Sequence, residues 1–167
     1  LTGHLVLSTI HTNNSAGTIP RLIDLGIQPQ IIAPAINMAM AQRLIRKLCP
    51  SCKIQHKVDP KTLEKIQKTL SPIKARFKLS KLDSSLKIYS PGKGCKECNE
   101  LGYKGRIGVY EAFVIGKEME KLILNSPANS DVQELAEKEG METMLQDAYL
   151  KLLDGITSIE EIERVLG

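Results

Sequence analysis

Four cysteines, arranged as two CxxC pairs, are the residues of this chain most suited to chemistry. The pair CPSC contains Cys49 and Cys52, and the pair CKEC contains Cys95 and Cys98, so no cysteine is left over. Each CxxC aims two sulfurs at one point, and two such turns complete a tetrahedron around Zn²⁺. Because four thiolates leave no open position for water, the spacing predicts a structural zinc site rather than a catalytic one.

Other uses of the two pairs remain open from spacing alone. Residues 53–94 separate the pairs, a longer interval than the ~15–20 residues of a zinc ribbon, so a helix and a loop are expected within it. Gly94 permits a close backbone approach before the second pair. Disulfides are less favoured because the chain shows no secretory signal. A thioredoxin-like redox site needs only one CxxC, and an iron–sulfur cluster is a further alternative.

Two histidines bracket an apolar run at the start of the chain, LTGHLVLSTIHTNN. Residues 4–9 are typical of a strand buried in a parallel sheet. His4 and His11 would face opposite sides of one strand, which argues against a shared metal site. His11 would lie just past the carboxyl end, where open α/β sheets place ligand-contacting groups. A turn histidine without a ligand is the alternative.

Composition places the chain among globular proteins, with 42% hydrophobic and 25% charged residues. No apolar run reaches the roughly 18–20 residues that cross a bilayer, so we expect a soluble, cytosolic protein. Net charge is uneven: +3 over residues 1–48, +9 over 49–106 and −8 over 107–167. The asymmetry indicates either solvated surfaces or a basic segment that meets an acidic partner, including the acidic segment of another copy.

Local patterns predict alternating helices and strands. Two apolar helical segments are expected over 13–25 and 27–40, and Asp59 with Pro60 marks a helix start. A strand is expected in LKIYS and another over 105–116. The last third is helical, with capping boxes at Ser130–Gln133 and Ser158–Glu161.

Four motifs in order resemble the C-terminal part of the bacterial type II secretion and type IV pilus extension ATPases. They are TGHLVLSTIHTNNSAG, RLIDLGI, AQRLIRKLCPSC and GCKECNELGYKGRIGVYE. The resemblance implies an α/β fold: a remnant of a RecA-like P-loop NTPase core (1–48), an inserted four-cysteine zinc-binding subdomain (49–106), and a C-terminal strand and helical lobe (107–167). It also implies that His4 and His11 form the family's histidine box near the terminal phosphate, with Ile10 where Leu is more frequent.

The same resemblance implies a longer parent protein of which this chain is a fragment. The parent would be a cytoplasmic hexameric ATPase at the inner membrane, using ATP and Mg²⁺ to power pilin or pseudopilin assembly. Its partners would be other subunits of the ring and cytoplasmic parts of a membrane platform protein. The chain contains no GxxxxGK[ST] loop and no Walker-B acidic strand, so we do not expect these residues alone to hydrolyse ATP.

A zinc-ribbon module that binds nucleic acid is the alternative function. The four cysteines and the +9 segment support it. Against it, that segment contains one Phe and two Tyr, so bases would find few stacking surfaces. Its positive charges are mostly lysines, which makes nucleic acid the less favoured partner.

Overall fold

The computed structural model describes residues 3–77, 79 and 82–167. The chain divides into two compact units. Unit 1 combines Leu1–Gln42 with Tyr110–Thr143, and unit 2 combines Arg43–Val109 with Met144–Gly167. Each unit joins two separated segments, and the three consecutive domains expected from the sequence stay a prediction.

The described residues form a mixed α/β structure of short elements. The helices are α1 (Thr18–Asp24), α2 (Pro29–Ala35), α3 (Pro60–Leu70), α4 (Lys117–Leu124), α5 (Asn129–Lys138), α6 (Met144–Leu153) and α7 (Ile159–Leu166). The strands are β1 (Met38–Leu48), β2 (Ile54–Lys57), β3 (Lys87–Ser90) and β4 (Tyr103–Val114). Within the described ranges, no helix has the length and apolar character required to span a membrane.

The strands form two two-stranded sheets. β1 pairs with β4, and hydrogen bonds from Cys49 N to Gly102 O and from Ile115 N to Asn37 O flank the pair, so the strands run antiparallel. β2 pairs antiparallel with β3 in a register that places Lys57 opposite Lys87. The sheet of β2 and β3 lies between the two cysteine pairs in the sequence.

The core of unit 1 is built from helix faces and the adjoining strand ends. In α4, Met119 and Ile123 are fully buried, as expected for apolar residues four positions apart on one helix face. α2 packs against α4, and α5 packs against both α1 and α4. The buried residues of this cluster are Ala16, Ile19, Ile32, Ala33, Ala39, Phe113, Ile115, Met119, Ile123, Val132, Ala136 and Met141.

Unit 2 packs α3 and α7 against α6. α3 begins as the sequence predicts: the Asp59 carboxylate accepts from Thr62 N at 3.0 Å, and Pro60 occupies the first turn. Ile66 and Leu70 face the core and are fully buried. The hydrogen bonds from Thr62 lower the pKa of Asp59.

A buried carboxylate on α7 joins three elements of unit 2. Glu161 is fully buried and accepts from Arg46 N at 2.9 Å and Arg46 Nε at 2.8 Å, and from Arg164 Nη2 at 2.6 Å. Ser158 caps α7 by accepting from Glu161 N, and its hydroxyl also hydrogen-bonds Tyr103 Oη at 2.8 Å. The Arg46 guanidinium lies 4.1 Å from the centre of the Tyr103 ring. The network holds α7 on β1 and β4.

Several elements differ from the sequence prediction for local reasons. Residues 3–11 form neither strand nor helix, and Leu5, Val6 and Leu7 are 76–89% exposed, because no described strand pairs with them. The helix expected over 27–40 ends at Ala35, and a strand begins at Met38. α5 begins at Asn129, earlier than the predicted box, since Asp131 accepts from Ala128 N.

Replacing the buried carboxylate should weaken unit 2 in a pH-dependent way. Burial raises the pKa of Glu161, but hydrogen bonds from Arg164 and Arg46 outweigh burial and lower it to about 2, from 4.5. Its stabilisation is therefore complete above about pH 4.5 and is lost as the pH falls towards 2. We expect Glu161→Gln to lower the free energy of unfolding at pH 7 by about 2–3 kcal/mol, because both arginines are partly exposed.

Denaturant unfolding of the two proteins between pH 2 and 7 measures this difference. Glu160→Gln removes an exposed carboxylate from the same helix and is the matched control, with little expected change. A difference between Glu161→Gln and the parent chain that stays constant down to pH 2 would contradict the assignment.

Candidate metal centre

The four cysteines converge in unit 2 although the two pairs are 46 positions apart. All four are free thiols, and their Sγ atoms lie within 4.8 Å of one another. The Sγ–Sγ distances are 3.7 Å for Cys49–Cys95, 3.8 Å for Cys52–Cys98 and 3.7 Å for Cys95–Cys98. A tetrahedral site with Zn–S bonds of about 2.3 Å has edges of about 3.8 Å, whereas a disulfide requires about 2.05 Å. The cluster could hold a metal ion, and its spacing fits zinc.

Backbone hydrogen bonds fix the two turns that present the sulfurs. The first pair follows β1, where Lys53 N donates to Cys49 O at 3.0 Å. The second pair spans a short 3-10 helix, Lys96–Cys98, and Glu100 N donates to Cys95 O at 3.0 Å. Asn99 and Glu100 then adopt left-handed conformations with φ of 50° and 62°, which turn the chain back towards β4. Cys49 N donates to Gly102 O and connects the two turns.

Two glycines leave room for this close packing. A Cβ at Gly92 would lie 1.9 Å from the Cys52 carbonyl oxygen. A Cβ at Gly94 would lie 2.4 Å from the Glu100 backbone, and Gly94 also has a φ of +96°. The close approach expected at Gly94 is therefore confirmed. Gly92 was missed, because nothing in the local sequence shows which distant carbonyl it meets.

Backbone donors lower the pKa of one of the four thiols. Burial raises the pKa of Cys98, but backbone N–H groups of Cys95 and Gly102 donate to its sulfur at 3.2 and 3.3 Å and bring the pKa down to about 6. Burial raises the pKa of Cys52 to about 12, because it lies against three other thiols. A dication bound here would displace the remaining thiol protons.

Lys53, which follows the first cysteine pair, contacts the loop after α6 and the ring of Tyr89. Its Nζ donates to the Gly155 carbonyl at 2.8 Å and lies 4.3 Å from the centre of the Tyr89 ring. Gly155 has a φ of +66°, and a Cβ there would lie 2.8 Å from the Tyr89 ring. The loop after α6 therefore packs directly on the residue that follows the first cysteine pair and on β3.

The histidines predicted to contact a phosphate lie in unit 1. His4 and His11 are exposed and belong to the segment 3–11. Among the described residues, the group able to hold a metal ion contains neither of them. His56 is exposed on β2, with Nδ1 3.0 Å from Lys57 O. The structure leaves the two histidines accessible, and their role stays a prediction.

A second buried carboxylate contacts the turn that follows His11. Glu111 of β4 is 5% exposed and accepts from Ser15 N at 2.7 Å and Ser15 Oγ at 3.1 Å. Sequence reasoning missed this contact. The sequence signals this contact only through the position of Glu111. Val109, Glu111 and Phe113 are every second residue of β4 and therefore lie on the same, inward face of the strand.

A comparison with known families identifies the chain. A sequence model described as type II/IV secretion system protein matches residues 1–164. The chain belongs to this family. The resemblance drawn from the four motifs is thereby confirmed.

Relatives in the type II/IV secretion system family are ATPases of pilus assembly and secretion. The type IV pilus assembly ATPase PilB of Thermus thermophilus is 36% identical over 97% of this chain, and PilB of Pseudomonas aeruginosa is 38% identical over 98%. Type II secretion system protein E of Pseudomonas aeruginosa is 37% identical over 99%. The alignments cover 17%, 27% and 30% of those proteins, so the chain spans less than a third of their length.

Metal content tests the cysteine site directly. We expect one Zn²⁺ per purified chain and four thiols that react only after a chelator has removed it, because coordinated thiolates are shielded. Elemental analysis with thiol counting measures both. Two disulfides without an ion, or iron with visible absorption, would contradict the zinc assignment.

Backbone packing at the second pair should control metal affinity. We expect Gly94→Ala to lower Zn²⁺ affinity at least tenfold, because the new methyl group meets the Glu100 backbone and distorts the turn that presents Cys95. Gly105→Ala is the matched control: its φ is +78°, and nothing lies within 4 Å of the added Cβ. Competition with a chromogenic zinc chelator gives both affinities. Equal losses in the two variants would show that backbone strain alone, and not the contact, matters.

Proposed function

We propose that this chain acts as the C-terminal portion of an ATPase that powers the assembly of pilin or pseudopilin subunits. Family membership carries the proposal, because the relatives named above are pilus assembly and secretion ATPases and match nearly all of this chain. The intact protein would be a cytoplasmic hexamer at the inner membrane that uses ATP and Mg²⁺. The segment 1–48 would be the end of its RecA-like core.

In this proposal the four cysteines bind a structural Zn²⁺. The ion supplies cross-linking of two turns and no reaction step, since four thiolates fill its coordination sphere. Cys49 and Cys52 would anchor the turn after β1 to the ion, and Cys95 and Cys98 would anchor the turn before β4. The sheet of β2 and β3 and helix α3 are thereby held as an insertion on β1 and β4.

His11, and with it His4, would sense or contact the terminal phosphate of the nucleotide. His11 is exposed and directly precedes the turn that leads into α1. In phosphoryl transfer a protein acts mainly by positioning groups and neutralising charge, which an imidazole N–H can do. The phosphate loop and the Mg²⁺ ligands would come from other parts of the intact protein.

Charge supports an acidic partner for unit 2. Lys57 and Lys87 face each other across β2 and β3, and both are exposed. Neither forms an ion pair with another described residue, and like charges directly opposite each other are unfavourable. Acidic surfaces of a neighbouring subunit, or of the cytoplasmic part of a membrane platform protein, would relieve this repulsion.

Loss of the imidazole tests the proposed function. In the full-length protein, we expect His11→Ala to lower kcat for ATP hydrolysis by about 10–100-fold, because a donor to the transferring phosphate is lost. Zinc content and thermal stability should not change, since His11 is exposed. His56→Ala removes an equally exposed histidine from unit 2 and serves as the control, with full activity expected. Unchanged turnover in His11→Ala would remove the assignment.

A further inference from the structure

We propose that Glu111 is a positioning residue for the turn that follows His11. The inference rests on the role proposed above for His11 and adds a residue that acts on it through the backbone. Glu111 lies on β4, and the turn comprises residues 12–17 of the same unit.

The contact that carries this inference is a buried, charge-assisted hydrogen bond. Ser15 N donates to Glu111 Oε1 at 2.7 Å, and Ser15 Oγ donates to the same oxygen at 3.1 Å, across 96 positions of sequence. Ser15 is fully buried and Glu111 is 5% exposed. Hydrogen bonds to a carboxylate are about twice as strong as neutral ones, and a buried carboxylate that loses its donors is costly. The link therefore persists while unit 1 is folded.

The turn on the other side of this bond is internally ordered. Asn14 Oδ1 accepts from Gly17 N at 3.0 Å, and Thr12 Oγ1 donates to Asn14 O at 2.9 Å. Thr18 N donates to Ser15 O at 3.1 Å and begins α1. Residues 12–18 thus form one hydrogen-bonded segment, and Glu111 links that segment to β4.

His11 lies close to this attachment along the chain. Only three residues separate His11 from Ser15, so the imidazole can lie no more than a few residue lengths, at about 3.5 Å each, from a fixed point. The segment 3–11 pairs with no strand among the described residues. On the C-terminal side of His11, the hydrogen bond from Ser15 N to Glu111 attaches the chain to β4.

Precise placement matters for rate more than for binding. A displacement of about 1 Å of a group that acts on the reacting phosphate can cost about 10²-fold in rate. Loss of the Glu111 acceptor would leave Ser15 N–H buried and unpaired and release the turn. Turnover should fall while the affinity for ATP, which other residues supply, is kept.

A double-mutant cycle in the full-length protein tests this. We expect Glu111→Ala to lower kcat for ATP hydrolysis by about 10-fold or more, with KM for ATP within about twofold. Glu111→Gln should recover most of the rate, because its amide oxygen can still accept from Ser15 N. In a His11→Ala background, Glu111→Ala should cause no further loss. Glu134→Ala, which removes an exposed glutamate of α5 in the same unit, is the matched control and should be fully active.

The outcomes separate the two proposals. Full turnover in His11→Ala refutes the proposed role of the histidine. A slow His11→Ala with a fully active Glu111→Ala refutes the positioning role alone, and so does an equal fold-loss from Glu111→Ala in both backgrounds. Glu111→Gln as slow as Glu111→Ala contradicts the acceptor role. Should Glu111→Ala not fold, the same cycle with Glu111→Gln, at an expected loss of about threefold, decides between additive and coupled effects.

Discussion

Convergence of four sulfurs is the constraint on which unit 2 depends. Two CxxC turns that are distant in sequence must meet with edges near 3.7 Å, and this requirement determines what surrounds them. A side chain at Gly92 would meet the Cys52 carbonyl of the opposite turn, and a side chain at Gly94 would meet the Glu100 backbone of its own turn. Cys98 receives two backbone donors because the chain must curl around its sulfur before entering β4.

Two buried glutamates connect distant segments of the chain at places that contain no cysteine. Glu111 and Glu161 lie in different units, yet each accepts from the backbone N–H of a residue far away in sequence, Ser15 and Arg46 respectively. A carboxylate can accept several donors at once, and burial makes the loss of any of them expensive. Each glutamate therefore adds a polar attachment to an element that also buries apolar residues, such as Ile162 of α7 and Ala16 of the turn. For Glu161 that element is the short helix α7, and for Glu111 it is the turn before α1.

Patterns in the local sequence predicted correctly those features of the fold that depend on interactions between residues close in sequence. The Asp59 cap, the Ser158 cap, the strand within LKIYS and the strand of GRIGVYEAFV all appear where the patterns placed them, as does the pairing of the two CxxC turns. The predictions that failed concern contacts between residues that are distant in sequence. The apolar run 4–9 has the composition of a buried strand but finds no hydrogen-bonded neighbour among the described residues. Glu111 and Ser15 each look ordinary in sequence, and only the fold shows that they meet.

The same distinction bears on the two kinds of site. A metal site with four cysteine ligands shows in the sequence, because the spacing within each pair is fixed by the geometry of a single turn. A phosphate-sensing histidine does not, because its chemistry depends on where a distant framework holds it. In this chain the hydrogen bond from Ser15 N to Glu111 attaches the turn after His11 to β4. Family resemblance can point to a histidine, but only the fold shows which contact holds the turn that follows it.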